Sequence, residues 1–448
     1  MKIFKKWVLL LVVGLIILMG VSCGQEINTT GNMSNTSTKN DYSILQAKPL
    51  KNKEITIVSH YSLWGEKDDG TFVGYKAIFN SQYGGIVNEV LCSYNDYMTR
   101  VASMVLADQA PDGVVRTDVD SIPFMTFVTK GLCQPFDDYI DLNEPIYSRL
   151  KVDIEYSKWL GKTYFLVHNN DCTSMTYYNK KLFEDAGLEE PYSLFKKGEW
   201  TWDSMLSAAK QLTVINSATN EADVSGIYIE GPEILVATTG KTIGTITNGN
   251  DVKMDLTVPG ISKAMQFLFD LNAIHKVKYS QPSGWAIALQ KNKLAMAIAG
   301  IYHRGDAEIK EMIKAGEIYF APLPKDPNAD KSYSQKAEIG WILCQGAKNP
   351  EGLVAFNKSM IYANYYDVEE KAAKDATRMK NLGVGMDFIN LEYEMMYQPN
   401  GISDFGKGFS QEESWKFLDQ TEPWSTYVAK VTNPVEVKKN EAIVPPQG

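Results

Sequence analysis

Short apolar runs and one amphipathic stripe mark the start of the ordered part of the chain. The β-branched run Glu54–Ser59 predicts a buried strand, and Ile86–Leu91 predicts a second one. Between residues 97 and 107 apolar side chains recur at helical spacing, and after a turn residues 114–116 read as a third strand. Strand, helix and strand in this order predict a βαβ unit, and therefore a parallel sheet flanked by helices.

The same alternation returns further along the chain. The hydrophobic pattern predicts strands at 164–167, 174–178, 294–299 and 319–321, and helices at 180–186, 202–212 and 261–273. Beyond them helical periodicity dominates, at 352–363, 368–378 and 411–418. Two α/β units followed by a helical end predict an α/β protein with two lobes rather than one domain.

The first residues form an export signal. Three lysines precede an apolar run over residues 7–19, which is too short to span a bilayer comfortably, and Gly20-Val21-Ser22-Cys23 follows. The segment resembles a bacterial lipoprotein signal, which implies a signal peptide at 1–22 and acylation of Cys23. The alternative is an ordinary cleaved signal followed by an incidental cysteine. Residues 23–50 are rich in Asn, Thr and Ser, so we expect a disordered tether behind a membrane anchor.

Composition narrows the class of protein further. A hydrophobic fraction of 44% can supply proper cores for one large or two medium domains. The formal net charge of -9 argues against a nucleic-acid partner. Four further cysteines, Cys92, Cys133, Cys172 and Cys344, are far apart in sequence, and their apolar neighbours favour buried free thiols over disulfides.

Several sequence blocks, taken together, resemble the family 1 extracellular solute-binding proteins, which are the receptors of ABC importers. The matching blocks are residues 110–115, 161–167, 177–188, 200–203, 293–300 and 320–324. The resemblance implies a type II periplasmic-binding-protein fold, in which two lobes, each a mainly parallel sheet with helices, close on a ligand. It places one lobe at 51–168 plus 295–343 and the other at 169–294 plus 344–448. It also implies a monomer that stays outside the cytoplasm, anchored to the cell membrane, and works with ABC permease subunits.

The candidate ligand is a sugar or an oligosaccharide. A sugar ring has an apolar face and a polar rim, so it suits aromatic platforms flanked by carboxylates and amides. The residues expected to bind it stand near predicted strand ends and are Tyr61, Trp64, Asp118, Asn170, Asp171, Trp285, Tyr302, His303 and Trp341. Two of these have equally simple structural explanations, because Trp341 lies in an apolar run and Asp118 could cap a helix.

The sequence gives no support to catalysis, a metal site or a cofactor. The four histidines are scattered, and no serine stands in a G-x-S-x-G motif. Two alternatives remain open. The same fold could bind a peptide, a polyol or a glycosaminoglycan fragment, or the chain could be a secreted lipoprotein glycoside hydrolase with Asp118 and Asp171 as its carboxylate pair.

Overall fold

The computed structural model describes residues 39–63, 73–93, 96–117, 123–281, 283–404, 406–418 and 422–444. The strands are β1 Glu54–Ser59, β2 Ile86–Leu91, β3 Gly113–Thr117, β4 Phe165–Asn169, β5 Ser174–Asn179, β6 Val214–Ile215, β7 Ala222–Ile229, β8 Gly244–Thr247, β9 Asp251–Met254, β10 Leu294–Gly300, β11 Ile318–Ala321, β12 Ser334–Gln335, β13 Ile339–Leu343 and β14 Gly401–Ile402. The helices are α1 Gly74–Tyr83, α2 Tyr97–Leu106, α3 Met125–Thr129, α4 Lys151–Tyr156, α5 Lys180–Asp185, α6 Pro191–Lys196, α7 Trp202–Leu212, α8 Pro232–Ala237, α9 Pro259–Ala273, α10 Trp285–Gln290, α11 Ala307–Ala315, α12 Pro350–Tyr365, α13 Val368–Leu382, α14 Met386–Met396, α15 Lys407–Phe417 and α16 Trp424–Ile443. Short 3-10 helices lie at Tyr42–Leu45, Pro145–Tyr147 and Ile301–Gly305.

The first lobe is built on a five-stranded sheet in the order β2-β1-β3-β13-β4. Strand β1 is parallel to both β2 and β3, whereas β13 is antiparallel to β3 and to β4. The β-branched side chains of β1 explain its position, because Ile55, Ile57 and Val58 are completely buried in the core. The βαβ unit predicted from the sequence is confirmed, and β1 and β2 have the predicted bounds.

The second lobe contains a five-stranded sheet in the order β11-β5-β10-β7-β6. Strand β10 lies in its middle, antiparallel to β5 and parallel to β7, and all seven of its residues are buried. The strand pairing thus differs from the predicted lobe boundaries, since residues 294–321 belong to the second sheet and α12 packs on the first. The order of sequence blocks along the chain does not reveal which sheet a strand joins, and hydrogen-bond pairing decides it.

Residues 39–50 belong to the folded part rather than to a tether. Leu45 is completely buried, and the ring of Tyr42 lies 4.8 Å from that of Tyr362 on α12. The backbone N–H of Leu50 donates to the carbonyl of Tyr83 at 3.1 Å. These contacts hold residues 39–50 against the first lobe. The rest of the predicted tether, with Cys23 and the signal peptide, lies outside the described residues.

Two chain segments that cross between the lobes run side by side. Residues 170–173 lead from β4 to β5, and residues 322–338 lead from β11 back to β13. The N–H of Thr173 donates to the carbonyl of Gln335 at 3.0 Å, and the N–H of Ala337 donates to that of Asp171 at 3.1 Å. The two crossings therefore form one hydrogen-bonded ribbon, which is a natural axis for relative motion of the lobes.

The C-terminal helix α16 is packed against both lobes. It contacts α9 of the second lobe and α3 of the first, where the hydroxyl of Thr129 donates to the carbonyl of Ala442 at 2.8 Å. Trp424 at its start is buried, and its indole N–H donates to the carbonyl of Leu256 at 3.3 Å. Neither this 20-residue helix nor any other in the described ranges has the length and apolar composition needed to cross a membrane.

Candidate functional site

The loops that leave both sheets meet at the crossing between the lobes. In the first sheet the end of β3 at Thr117 and the end of β4 at Asn169 both pair with Ile339. In the second sheet the end of β10 at Gly300 pairs with Ser174 at the start of β5. The carboxyl ends of the parallel strands of each sheet therefore point to the interlobe crossing, which is where open α/β sheets bind ligands.

A cavity of about 1000 Å³ opens between the lobes and the C-terminal helices. Its lining mixes aromatic rings, carboxylates and lysines, and includes Met98, Thr126, Tyr228, Glu230, Lys278, Tyr279, Glu412 and Trp415. The volume lies at the upper end of the range of small-molecule sites. The first lobe, the second lobe and the C-terminal helices all contribute to the lining, although they lie far apart in sequence. The described residues that the sequence predicted as ligand contacts are not among those lining this cavity. Two of these predicted residues, Tyr302 and His303, contact the cavity wall by hydrogen bonding to Glu230.

Glu230 organises the wall of the cavity on the second lobe. It follows β7 directly, and one of its carboxylate oxygens accepts the N–H of Gly300 at 2.6 Å. The other oxygen accepts the hydroxyl of Tyr302 at 2.7 Å and faces Nε2 of His303 at 3.0 Å. The structure thus brings the predicted residues Tyr302 and His303 together, and it does so around a carboxylate that the sequence reasoning did not select.

The charges of this group support one another. Burial opposes ionisation of Glu230, but the hydrogen bonds from His303, Tyr302 and Gly300 outweigh it and lower the pKa of the carboxyl group. Burial likewise disfavours charged His303, yet its bonds to Glu230 and Asp306 raise the pKa of the imidazole. Nδ1 of His303 lies 2.6 Å from a carboxylate oxygen of Asp306. Both ring nitrogens therefore face carboxylates, which favours the doubly protonated ring.

Two exposed aromatic side chains lie near this carboxylate. Tyr302 is 64% exposed although its hydroxyl is held by Glu230. Trp415 on α15 is 40% exposed and lines the cavity, while its indole N–H donates to Glu233 at 3.1 Å. A hydrogen bond at one edge fixes each ring and leaves apolar surface accessible. Such fixed rings can stack against an apolar ligand face at little cost in side-chain entropy.

Trp285 supports the site from behind instead of facing the cavity. Its ring is only 5% exposed and stacks on Tyr228 with 5.8 Å between ring centroids. The edge of His303 meets it at 5.0 Å in a T-shaped arrangement. Trp285 follows Gly284 as the first residue of α10 and packs into the second core. Its role is to position His303.

Trp341 is a core residue. It lies on β13 with no exposed surface, 5.7 Å from the ring of Phe356 and 6.0 Å from that of His168. Strand β13 lies between β3 and β4, away from the sheet edges, and the Trp341 side chain is covered by packing on its face of the sheet. The expected ligand platform at Trp341 is therefore corrected to a packing role, which the apolar run around it already allowed.

Asn170 and Asp171 lie in the first crossing segment, where the polar groups of Asn170 bond to neighbouring residues of the protein. The amide of Asn170 donates to Asp153 at 2.6 Å, and its backbone N–H donates to the hydroxyl of Tyr365 at 3.1 Å. One carboxylate oxygen of Asp171 is buried with no hydrogen-bond partner in the described part of the chain. Burial raises the pKa of Asp171 to about 6, against the opposing influence of Arg149, Arg304 and Lys336.

The remaining predicted contacts follow β1 and β3 in the sequence. Tyr61 is half-buried, and its ring meets that of His60 at 4.9 Å. Trp64 and Asp118 lie outside the described residues. All three stay predictions as ligand contacts.

Glu230 and Trp415 are not among the predicted contacts, for different reasons. Strand β7 begins with exposed Ala222 and Asp223, so its pattern does not predict a strand or a strand end at Glu230. Glu230-Gly231-Pro232 is the signal that could have found it, because Gly-Pro marks a turn and so places Glu230 at the end of the preceding element. Trp415 lies on a helix whose position depends on long-range packing, and nothing local reveals that.

Among the described residues no group of three or more His, Cys, Asp or Glu side chains is arranged to hold a metal ion. The chemistry of the cavity is that of a polar and aromatic recognition site. Its carboxylate is held in one orientation by three donors, and its rings are fixed at their edges. An interlobe cavity of this kind, on two crossing-linked α/β lobes, defines the class of two-lobed binding proteins.

Residues 72–360 match the bacterial extracellular solute-binding protein family, and the chain belongs to it. The predicted family is confirmed. None of the curated proteins compared with the chain is a match.

Solved structures of this class share the fold at low sequence identity. An ABC substrate-binding protein from Listeria monocytogenes, in complex with cycloalternan, is 20% identical with a TM-score of 0.59, and the match covers 87% of this chain and 98% of that one. A solute-binding protein from Thermotoga lettingae bound with α-D-tagatose is 18% identical, with a TM-score of 0.54 and coverage of 87% and 100%. The maltose/maltodextrin-binding domain from Bdellovibrio bacteriovorus bound to maltotriose is 15% identical, with a TM-score of 0.54 and coverage of 86% and 99%. The predicted two-lobed fold is confirmed.

Proposed function

We propose that the interlobe cavity binds a sugar or a short oligosaccharide, and that the protein delivers it to the permease of an ABC importer. The observation that carries the proposal is the pairing of the exposed Trp415 ring with the fixed Glu230 carboxylate in one cavity. Similar structures whose ligands are sugars, from a monosaccharide to cycloalternan, support the same ligand class.

The proposed contacts follow from the chemistry of a sugar. The apolar C–H face of a ring stacks on Trp415, and hydroxyls donate to the lone pairs of Glu230 that remain available. Glu412 and Tyr279 supply further polar groups on the cavity wall. Tyr61, Trp64 and Asp118 complete the site from the first lobe when the lobes close about the ribbon of crossing segments. Ligand then shifts the population towards the closed form, because that form alone makes both sets of contacts.

A thermal-shift screen of mono- and oligosaccharides, with maltotriose and tagatose among them, tests the ligand class. Any ligand that binds the native state raises the melting temperature, by RT ln(1 + [L]/Kd) in free energy. A screen in which no saccharide raises Tm, while a peptide, a polyol or a glycosaminoglycan fragment does, would assign the cavity to one of those ligands.

The site itself is tested with Trp415→Ala. Loss of a stacked ring is expected to weaken binding of the best saccharide by about tenfold to a hundredfold, measured by calorimetry. Tyr139→Ala is the matched control, because Tyr139 is similarly exposed and does not line the cavity. Unchanged affinity in Trp415→Ala would move the binding site away from this cavity.

A glycoside hydrolase is the alternative from another class. A receptor returns its ligand intact, so prolonged incubation with the bound oligosaccharide should release no product. Hydrolysis that disappears in Asp118→Asn or Asp171→Asn would establish the enzyme instead.

We also propose that the protein works outside the cytoplasm as a membrane-anchored monomer. The family is extracellular, and the sequence around Cys23 resembles a lipoprotein signal. A lipid on Cys23 and the polar residues behind it would keep the receptor near the permease at high effective concentration. Cys23→Ser is expected to release a protein that still binds its sugar, which cell fractionation and calorimetry can check.

A further inference from the structure

Two cysteines lie directly opposite each other in the first lobe. The segment around Cys133 runs antiparallel to the segment around Cys344 and forms a bridge with it. The N–H of Gln134 donates to the carbonyl of Leu343, and the N–H of Gln345 donates to that of Leu132, both at 2.9 Å. These bonds flank the cysteine pair and make it the non-hydrogen-bonded type, in which opposite residues approach most closely.

This register suits a covalent bond between the side chains. Opposite Cα atoms in a non-hydrogen-bonded pair lie about 4.5 Å apart with their Cβ atoms on the same face of the ladder. Disulfides join residues whose Cα atoms are about 4.4–6.8 Å apart. The amide of Gln134 also donates to the carbonyl of Cys344 at 2.9 Å, which holds the two segments together. A Cα separation in this range lets rotation about the side-chain bonds bring the two sulfurs together.

The other described cysteines have no such partner. Cys172 lies opposite Lys336 in its own bridge, and the Cys92 thiol lies 3.7 Å from the carbonyl of Ser59. All four are free thiols in the structure. If the chain forms one disulfide among these cysteines, the geometry selects Cys133 and Cys344 as the pair.

We propose that Cys133 and Cys344 are joined by a disulfide in the exported protein. The family is extracellular, and proteins outside the cytoplasm meet oxidising conditions in which disulfides persist. The oxidant is a disulfide-bearing protein or small molecule. One cysteine thiolate attacks it and forms a mixed disulfide, and the second thiolate then displaces the oxidant's sulfur. The two cysteines lose two protons and two electrons, and the oxidant's disulfide becomes two thiols.

Burial sets the time at which the bond forms. Cys133 is 7% exposed and Cys344 is not exposed at all. Burial raises the pKa of both thiols, and the neighbouring Cys133 raises that of Cys344 further. Since the thiolate is the reactive species, exchange in the folded protein is slow in both directions. The bond therefore forms during folding and is protected afterwards.

The bond would stabilise the first lobe without locking the hinge. It connects the segment after α3 to the end of β13, and both belong to the first lobe. The loop that it closes contains the two crossing segments and the whole second sheet. Closing so long a loop lowers the entropy of the unfolded chain, while the ribbon that links the lobes stays free to twist.

The test uses the chain from residue 24 onward, exported from a cleavable signal and compared with protein made in a reducing cytoplasm. Each sample is denatured with iodoacetamide without reductant, and its mass and joined peptides are determined. The exported protein is expected to show two alkylated and two protected cysteines, with Cys133 and Cys344 in one cross-linked peptide. Alkylation of all four cysteines, or a cross-link that contains Cys92 or Cys172, overturns the proposal.

Paired variants measure the consequence. The double variant Cys133→Ala/Cys344→Ala is expected to melt about 2–5 °C below the oxidised exported protein. The double variant Cys92→Ala/Cys172→Ala is the matched control, because it keeps the bond, and its Tm should fall by the same amount after it has been reduced in denaturant and refolded under reductant. A Tm that this treatment leaves unchanged overturns the proposal even if the first variant does not fold.

Discussion

Replacing Asp171 by asparagine should stabilise the protein at neutral pH. Asparagine has nearly the shape of a protonated aspartate and removes a charge whose oxygen is buried without a partner. The pKa of Asp171 is raised from 3.8 to about 6, and a pKa difference of this size corresponds to about 3 kcal/mol. Because the folded state binds the proton more tightly, the carboxyl group costs the native state this free energy at pH 7 and nothing below pH 3.8.

The sign of the pH dependence follows directly. The free energy of unfolding of the wild type should rise relative to Asp171→Asn as the pH falls from 7 through about 6 towards 3.8. Urea denaturation of both proteins at pH 7.5, 6 and 4.5 measures this difference. The exposed Asp185→Asn is the control and should change stability by about 0.5 kcal/mol or less at each pH. A variant that is less stable than the wild type at pH 7.5 would show that the carboxylate is stabilised by Arg149, Arg304 and Lys336 instead.

Two further predictions concern the cavity wall and the N-terminal segment. The midpoint of His303 in an NMR titration should lie above pH 6.5, and Glu230→Gln should lower this midpoint because it removes one of two carboxylate partners. The stability that the pairing supplies is present below pH 6.5. It is lost as the pH rises through the pKa of His303 in the folded state. Leu45→Ala should lower the free energy of unfolding by about 2–4 kcal/mol in urea denaturation, whereas the exposed Leu160→Ala should change it by about 0.5 kcal/mol or less. An effect of Leu45→Ala as small as that of Leu160→Ala would return residues 39–50 to the tether.

The hydrophobic pattern predicted most accurately the strands that are buried along their whole length. Strand β10 is apolar at every position because helices or loops cover both faces, and a continuous apolar run predicts that state without any tertiary information. Strand β7 was missed because only its second half is buried, so its pattern changes part of the way along. Helix α1 was missed because polar residues interrupt a short segment that packs through Ile78 and Phe79.

Long-range packing accounts for the larger differences. Half of residues 39–50 are polar, and the prediction of a disordered tether extended to them from the Asn-, Thr- and Ser-rich residues before them. Tyr42 and Leu45 help to hold the segment, because α12 and the first lobe supply a surface that the sequence cannot display. The lobe boundaries differ for the same reason, since the partner of a strand is chosen in space and not along the chain.

The position of the first crossing depends on chain order more than the contents of the cavity do. The resemblance implied a lobe boundary after residue 168, and residues 170–173 connect β4 of the first sheet to β5 of the second. A binding site joins residues that meet only after both sheets, α15 and α16 have been packed. Tyr302 and His303 were selected as candidates because they follow a strand that the pattern predicted, whereas Glu230 follows one that it did not predict. The Glu230 carboxylate and the Trp415 ring are therefore the parts of the site that the predicted contacts did not include, and of the two only Trp415 had no local sequence signal.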